Sequence, residues 1–264
     1  MTAIIPARFG STRLPGKLVL EVGGRPLILH TMDRALRARH VRRVIVATDD
    51  HRIERIVLDA GGEAVMTSPE HTSGSDRVAE VAEGLAAGSI VVNVQGDEPL
   101  ISPETIDRAV EALLEDASVD IATTCEPIES LSELLDGNVV KVVTNGHGDA
   151  LYFSRSPIPY PRDASLRSDG DPNKAITNKP ELLGLFKKHT GLYAYRREFL
   201  LKFTLMERSA LEKIEMLEQL RALENGARIK VVDAADASIG VDTAEDLERV
   251  RAILADSGSK TTFA

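Results

Sequence analysis

The sequence has one cysteine, Cys125, and no apolar run near the ~20 residues that a membrane-spanning helix requires. A single cysteine excludes an internal disulfide and favours a reducing compartment. The first residues, Met1 to Arg8, have no basic segment followed by a long apolar core, which is the mark of a secretory signal. From these absences we expect a cytoplasmic protein with no membrane segment.

Positive charge is also in short supply, because 32 lysines and arginines stand against 41 aspartates and glutamates, a net charge of −9. Nucleic-acid surfaces are usually basic, so we expect no nucleic-acid partner. A small anionic substrate is still compatible with this balance, since exposed charges act mainly within a Debye length of ~8 Å in physiological salt. The clustering of cations therefore matters more than their total.

Short β-branched runs alternate with helical patterns along the chain. Predicted strands cover Thr2–Ile5, Val44–Ala47, Ser89–Val94, Val139–Val143 and Thr190–Tyr195, and predicted helices cover Pro26–Arg39, Ile53–Ala60, Asp76–Leu85, a segment starting at Ser102-Pro103, Ala210–Glu224 and Ala244–Leu254. Continuous apolar runs are typical of parallel strands buried on both faces. The alternation predicts an α/β fold, Rossmann-like, with a mainly parallel central sheet flanked by helices. Ligands of such sheets bind at the carboxyl ends of the strands.

The middle of the chain is less regular. A proline-containing stretch from Ser154 to Pro161 is followed by a polar segment that reaches Lys179. Such a segment is a flexible surface excursion or a lobe that closes a pocket or pairs subunits. We predict one α/β domain over residues 1–255 with an inserted lobe at about 150–195, and a flexible tail over residues 256–264.

The segment after the first predicted strand, Pro6–Lys17, combines glycines with cations. Its glycines let backbone N–H groups approach phosphate oxygens, and Arg8, Arg13 and Lys17 supply positive charge. The spacing matches neither the Walker pattern nor the dinucleotide Gly-x-Gly-x-x-Gly. A solvated basic turn explains any one of these cations, whereas their combination directly after a strand favours a loop that holds a nucleoside triphosphate.

The third predicted strand runs into Gln95-Gly96-Asp97-Glu98-Pro99. An aspartate at the carboxyl end of a parallel strand is well placed to bind Mg²⁺, which takes a few carboxylates together with substrate phosphates. The competing interpretation makes Asp97 a turn residue that hydrogen-bonds its own backbone. Glu98 is expected to take a structural role or to face solvent.

Asp242 also follows a short apolar run and precedes a predicted helix, in Ile239-Gly240-Val241-Asp242-Thr243. Aspartate and threonine are favoured helix caps whatever the function of the protein. On the sequence alone, helix capping and metal binding by Asp242 are equally open.

Four weaker candidates follow. Glu70–Arg77 is a polar turn that leads into a helix, suited to a base or ribose or simply a capped helix start. Arg155 is an anion contact or a surface ion-pair partner. His189 precedes the strand that carries Tyr193, and a lone histidine is more often structural. The segment from Leu211 to Arg221 is predicted to be core with a largely solvated acidic face.

Taken together, these segments resemble one family, 3-deoxy-manno-octulosonate (Kdo) cytidylyltransferase, or CMP-Kdo synthetase. The likeness runs from about residue 2 to residue 254 with the motifs in the same order. The matching motifs are Pro6-Ala7-Arg8 through Pro15-Gly16-Lys17, Val92–Pro99, Tyr152–Arg155, Leu211-Glu212 through Gln219-Leu220-Arg221, and Gly240–Thr243. Related sialic-acid cytidylyltransferases typically carry lysine where Arg13 stands and asparagine where Leu18 stands, so this loop favours Kdo.

The resemblance implies a reaction in which CTP and Kdo give CMP-Kdo and pyrophosphate, with Mg²⁺ as cofactor and lipopolysaccharide assembly as the use of the product. It implies Arg8, Lys17, Asp97 and Asp242 as catalytic residues. The implied contacts are Ala7, Arg8 and Lys17 with the triphosphate; Ser73, Gly74 and Arg77 around the cytidine; Gln95 with both nucleotide and sugar; Asp97 and Asp242 with Mg²⁺; and Arg155, His189, Tyr193, Glu212 and Gln219 with Kdo.

The resemblance also implies a homodimer. Two other functions stay open at this point: a cytidylyltransferase for sialic acid or another ulosonic acid, and a nucleotide-binding regulator without turnover. The presence of both Asp97 and Asp242 speaks against the regulator, because a sensor does not need paired metal acids.

Overall fold

The computed structural model describes residues 1–10 and 14–259. Arg13 and the last residues of the predicted tail, 260–264, lie outside these ranges. The strands are β1 (Thr2–Ala7), β2 (Glu21–Val22), β3 (Arg25–Pro26), β4 (Arg43–Thr48), β5 (Glu63–Met66), β6 (Ile90–Asn93), β7 (Ile121–Pro127), β8 (Lys141–Thr144), β9 (Ala150–Ser154), β10 (Lys187–Arg196) and β11 (Ile229–Asp233).

The α-helices are α1 (Leu27–Leu36), α2 (His51–Asp59), α3 (Gly74–Glu83), α4 (Pro103–Glu115), α5 (Leu131–Leu135), α6 (Arg162–Leu166), α7 (Pro172–Asn178), α8 (Arg197–Thr204), α9 (Ala210–Glu215), α10 (Gln219–Glu224) and α11 (Ala244–Ser259). Two 3₁₀ helices cover Lys17–Val19 and Pro180–Leu185. Within the described ranges, no helix is long and apolar enough to cross a membrane.

The main sheet has the strand order β11-β7-β10-β6-β1-β4-β5. Strands β6, β1, β4 and β5 run parallel, and β11 runs parallel to β7. Strand β10 is antiparallel to both of its neighbours, β6 and β7, and to β8, which pairs with β9. The predicted α/β fold with a mainly parallel central sheet is therefore confirmed.

The two faces of the sheet follow from the alternation of side chains along each strand. In β1, Ala3 and Ile5 join a core with helices α1, α2, α4 and α11, whereas Ile4 joins a second core with α3, α8 and α10. Both cores are fully apolar at these positions because each face of the sheet is covered by helices. A third, small cluster of Ile128, Leu134, Ile176 and Phe186 holds α5 and α7 together.

The irregular middle of the chain contains α6, α7 and the second 3₁₀ helix between strands β9 and β10. Both of these strands belong to the main sheet. The division into a domain over residues 1–255 and a lobe at about 150–195 stays a prediction. The last helix continues to Ser259, so the first residues of the predicted tail are helical.

One helix prediction was wrong. The segment Ala210–Glu224 forms two helices, α9 and α10, separated at Met216, whose φ of 54° is left-handed. Contacts with Arg155 explain the break: its Nε donates to the carbonyl oxygen of Glu215 at 2.7 Å, and its backbone N–H donates to the Glu215 carboxylate at 2.9 Å. These long-range bonds replace helix continuation at this point.

Candidate active site

A cleft of about 420 Å³ lies at the carboxyl ends of β1 and β6. Its lining includes six of the residues to which the sequence analysis gave a site role, and it also includes Pro6, Gly10, Leu18 and Gly96. The six predicted residues are Arg8, Lys17, Gly74, Gln95, Asp97 and Asp242. Segments that are far apart in the sequence thus meet where an α/β sheet binds its ligands.

Lys17 joins the two aspartates of the cleft. Its Nζ donates to the Asp97 carboxylate and, at 2.9 Å, to Oδ1 of Asp242. Burial lowers the pKa of Lys17, but the charges and hydrogen bonds of the two aspartates outweigh it and hold this pKa above its ordinary value. Gly16 delivers the lysine through a left-handed turn with a φ of 66°, a conformation that glycine adopts without strain.

Asp97 reaches the cleft because the turn before it packs closely on β1. A Cβ on Gly96 would lie 3.3 Å from the carbonyl oxygen of Pro6 and 3.2 Å from a side-chain carbon of Ile28. The hydroxyl of Thr31 donates to the Gly96 carbonyl oxygen at 3.0 Å and fixes the turn from below. A larger residue than glycine would therefore require these neighbours to give way.

Asp242 is brought beside Asp97 by a backbone contact, in which Val241 N–H donates to the carbonyl oxygen of Asp97 at 2.8 Å. The helix-capping contacts are made by its neighbour: the Asp246 N–H donates to Thr243 Oγ1 at 3.2 Å, and Asp246 Oδ2 accepts the Thr243 N–H at 2.9 Å. The structure therefore gives the cap to Thr243 and directs an Asp242 carboxylate oxygen to Lys17.

The donor set suits a divalent cation that is shared with a substrate. Two carboxylates, of Asp97 and Asp242, already converge on one cationic group, the ammonium of Lys17. In the described part of the chain, no group of three or more histidine, cysteine, aspartate or glutamate side chains is arranged to hold a metal. Mg²⁺ typically takes one or two carboxylates and completes its shell with water and phosphate oxygens, so this pair fits it.

The residues predicted to contact the triphosphate and the cytidine differ in their exposure. Ala7 ends β1 and is buried, whereas Arg8 is exposed at the cleft. Gly74 is the first residue of α3 and lies against Pro6. Ser73 caps α3 by accepting the Asp76 N–H at 3.1 Å, so its hydroxyl has a structural partner beside the cleft.

Arg77 is not brought into the cleft. Its side chain is 2 % exposed, and its guanidinium donates to Thr67 Oγ1 and, at 2.6 Å, to the Asp49 carboxylate. These partners follow β5 and β4, so Arg77 ties helix α3 to the neighbouring strand ends. Its implied contact with cytidine stays a prediction.

The wall beyond Asp97 contains Gln95 and Glu98. The Gln95 amide donates to the carbonyl oxygen of Gly191 at 3.3 Å, which joins it to β10. Burial, together with the charge of Asp97, raises the pKa of Glu98 to about 7. The sequence analysis expected Glu98 to be structural or to face solvent, and its contact with the Ser238 hydroxyl at 3.2 Å is structural.

His189 and Tyr193 belong to an aromatic group along β10. The His189 ring meets Phe153 edge-on at 5.1 Å and lies 5.2 Å from Tyr193, and its Nε2 is 2.9 Å from Thr123 Oγ1. Burial lowers the pKa of His189 to about 3, so the ring is neutral at physiological pH. Tyr193 is buried and stacks on Tyr195.

Glu212, Gln219 and Arg155 surround the break between α9 and α10. Glu212 is 4 % exposed, forms a capping box with Ser209, and pairs with Arg221 at 3.3 Å. Gln219 is the first residue of α10 and is buried. Arg155 donates to backbone carbonyl oxygens of Glu215 and, at 2.8 Å, of Gly137. The lining of the cleft includes none of these three residues, and their implied sugar contacts stay predictions.

Ser238 and Glu126 were not among the residues that the sequence predicted for the site. The structure joins them, with the Ser238 N–H donating to Glu126 Oε1 at 3.1 Å. Strand β7, which carries Glu126, was not among the predicted strands, and buried polar residues such as Thr123 and Thr124 interrupt its apolar pattern. No signal in the sequence therefore places Glu126 beside the segment that precedes Asp242.

Comparison with known proteins agrees with the family that the sequence motifs resemble. The cytidylyltransferase family profile matches residues 2–229. A 3-deoxy-manno-octulosonate cytidylyltransferase of Geobacter sulfurreducens is 51 % identical over 252 residues, 95 % of this chain and 97 % of that protein. A protein of the same name from Solibacter usitatus is 47 % identical over 94 % of this chain and 91 % of its own length.

Solved structures agree as well. A CMP:2-keto-3-deoxy-manno-octonic acid synthetase complexed with CTP is 42 % identical, with a TM-score of 0.86 over 97 % of this chain and 98 % of that one. A 4-diphosphocytidyl-2C-methyl-D-erythritol synthase from Anaerococcus prevotii, at 17 % identity and a TM-score of 0.60 over 96 % of this chain and 97 % of that one, shares the fold. The chain belongs to the 3-deoxy-manno-octulosonate cytidylyltransferase family.

Proposed function

We propose that this protein transfers CMP from CTP to Kdo and releases pyrophosphate. The observation that carries the proposal is the convergence of Lys17, Asp97 and Asp242 in the cleft at the ends of β1 and β6, beside the exposed Arg8. The names and coverage of the relatives support the choice of CTP and Kdo.

The reaction joins an acid sugar to a triphosphate, so the electrostatic repulsion between two anions is its main obstacle. The anomeric hydroxyl of Kdo attacks the α-phosphorus in line, the bond from that phosphorus to the bridging oxygen breaks, and pyrophosphate leaves. Arg8 and Lys17 stabilise the charge that develops on the leaving group. Positioning and electrostatics are sufficient for such a transfer, so no covalent nucleophile is needed. Cys125 is buried, and we assign it no role in the reaction.

Asp97 and Asp242 would hold Mg²⁺ together with phosphate oxygens. When bound, the ion neutralises charge on the α-phosphate and favours ionisation of the attacking hydroxyl. Lys17 contacts both carboxylates in this structure, and it would contact phosphate oxygens once the carboxylates held the ion. The lysine thus compensates the two acids before the substrate arrives.

On the sugar side, we assign Gln95, His189 and Tyr193 to direct recognition. The pKa of His189 keeps its ring neutral, so it serves as a hydrogen-bonding group for sugar hydroxyls and not as a cation for the carboxylate. Arg155 is a candidate for the carboxylate because guanidinium pairs with anions in a planar, two-bond geometry. Glu212 and Gln219 are buried, and we assign them to the shape of the Kdo pocket.

The product would serve lipopolysaccharide assembly, and we propose a cytoplasmic homodimer. Exposed apolar side chains in the segment between β9 and β10, namely Tyr160, Leu166 and Leu185, support pairing through that segment. Analytical ultracentrifugation tests it: a dimer is expected, and replacing Leu166 and Leu185 by serine is expected to shift the mass towards the monomer.

The function is tested by measuring pyrophosphate release from CTP with a panel of acid sugars. Kdo is expected to give the highest rate, and omission of Mg²⁺ to abolish it. A faster reaction with sialic acid would indicate a sialic-acid cytidylyltransferase instead. Binding of CTP without release in the presence of any sugar would favour a regulator and contradict the proposal.

A further inference from the structure

The segment that carries Asp242, residues 234–243, has no regular secondary structure between β11 and α11. A loop of this kind does not fix a carboxylate by itself, so the contacts that anchor it decide where Asp242 lies. Ala234 N–H donates to the Cys125 carbonyl oxygen at 2.9 Å, and Ala235 N–H donates to Thr105 Oγ1 at 2.9 Å. These bonds fix only the start of the segment.

Ser238 anchors the centre of the 234–243 segment through its backbone N–H and its hydroxyl. Its backbone N–H donates to Glu126 Oε1 at 3.1 Å, and its hydroxyl donates to Glu98 Oε2 at 3.2 Å. Glu126 lies in β7 and is 6 % exposed, whereas Glu98 directly follows Asp97. One serine therefore joins the Asp242 segment both to the central sheet and to the turn that holds the other acid.

Glu126 is itself held in place. Its Oε2 lies 3.3 Å from Nζ of Lys188, and the same Nζ lies 2.6 Å from the Glu133 carboxylate. Lys188 and Glu126 face each other across the β7–β10 pairing. Because a buried carboxylate with a compensating charge is a rigid acceptor, the Ser238 amide has a fixed partner.

We infer that Ser238, with Glu98 and Glu126 as its acceptors, is a positioning residue that sets the separation of the Asp97 and Asp242 carboxylates. Two bonds join this segment to the turn of Asp97 and Glu98: the Ser238 hydroxyl donates to Glu98, and further along the segment the Val241 N–H donates to the Asp97 carbonyl oxygen. The inference rests on the proposed function, because it assumes that the two aspartates bind the catalytic Mg²⁺. Partners that orient metal ligands typically change affinity or activity by about 10–100-fold when they are removed.

The test compares Ser238→Ala, which removes only the hydroxyl, with Ser238→Thr, which keeps it. Ser118→Ala is the matched control, because Ser118 is an exposed loop serine that also donates to a carboxylate, at 2.6 Å to Asp116. For each variant we would measure the Mg²⁺ concentration at half-maximal rate, the melting temperature, and Mn²⁺ binding by electron paramagnetic resonance without sugar.

Ser238→Ala is expected to weaken Mn²⁺ binding and to raise the half-maximal Mg²⁺ concentration about 10-fold, with little change in melting temperature. Ser238→Thr is expected to restore both metal readouts, and Ser118→Ala to leave them unchanged. If the wild type turns over with Mg²⁺, and Ser238→Ala gives the same Mn²⁺ binding and half-maximal Mg²⁺ concentration as Ser118→Ala, the positioning role is overturned and the proposed function stands. A wild type without Mg²⁺-dependent turnover would overturn the proposed function as well.

Discussion

Lys17→Met removes the cation that joins the two acids while keeping the length of the side chain. The Lys17 side chain is 13 % exposed and that of Asp97 is 27 % exposed, so their charged hydrogen bond contributes roughly 1.5–3 kcal/mol. Asp242 is 42 % exposed, and its contact is therefore discounted to below about 1 kcal/mol. We expect the free energy of unfolding to fall by about 2–3 kcal/mol, which lowers the melting temperature by roughly 4–12 °C.

Magnesium provides the diagnostic part of this experiment. Without the lysine, the two carboxylates repel each other, and a divalent cation relieves that repulsion. Melting curves with EDTA and with saturating MgCl₂ should therefore show a larger stabilisation of Lys17→Met than of the wild type. Lys202→Met, at an exposed position on α8, is the control and should melt as the wild type does. A Lys17→Met protein that melts at the wild-type temperature in EDTA, or that gains no more from magnesium, would refute the reasoning.

Three further predictions concern His189, Arg77 and Met216. As the pH falls below ~6.5, the unfolded chain binds a proton at His189 before the folded chain does, since burial holds the folded pKa at about 3. The free energy of unfolding should therefore fall by up to about 2 kcal/mol between pH 7 and pH 5. Urea titrations of His189→Leu should no longer show the part of this pH dependence that comes from His189. Arg77→Met leaves Asp49 without its cation and should cost about 3–5 kcal/mol by chemical unfolding, whereas a smaller loss would disprove the buried ion pair. Because Met216 has a φ of 54°, which glycine adopts without strain, Met216→Gly should melt at or above the wild-type temperature. Ile214→Gly, inside helix α9, should lower the free energy of unfolding by about 1 kcal/mol. A Met216→Gly protein less stable than Ile214→Gly would contradict the left-handed break.

Local patterns were sufficient for the adjacent strands β6, β1 and β4, whereas the short edge strand β5 was not among the predicted strands. The β-branched runs at Thr2–Ile5 and Val44–Ala47 lie inside β1 and β4, because parallel strands buried on both faces are apolar throughout. Strand β7 escaped prediction because its buried Thr123 and Thr124 satisfy their hydroxyls across the sheet, with Thr190 and other residues of β10. Such partners are visible only once the strands are paired.

The site residues likewise divide into those that local patterns reveal and those that depend on tertiary contacts. The segment Pro6–Lys17, which is predicted to hold phosphates, and Asp97 each follow a predicted strand, so the rule for strand ends was enough to group them. The sequence left helix capping by Asp242 open, and the structure gives the capping contacts to Thr243, while metal binding by Asp242 stays a prediction. The break at Met216 lies among good helix formers and depends on hydrogen bonds from Arg155, which is far away in the sequence. Tertiary contacts override local propensity at such positions.

The central claim is that the cleft built by Lys17, Asp97 and Asp242 transfers CMP to Kdo. Pyrophosphate release from CTP and Kdo with Mg²⁺, compared among the wild type, Asp97→Asn and Asp242→Asn, tests it most directly. The account predicts steady release by the wild type and a loss of roughly 10²–10⁴-fold in each variant, while each variant still shows the cooperative melting of a folded protein. Near-normal rates in both variants would contradict the account.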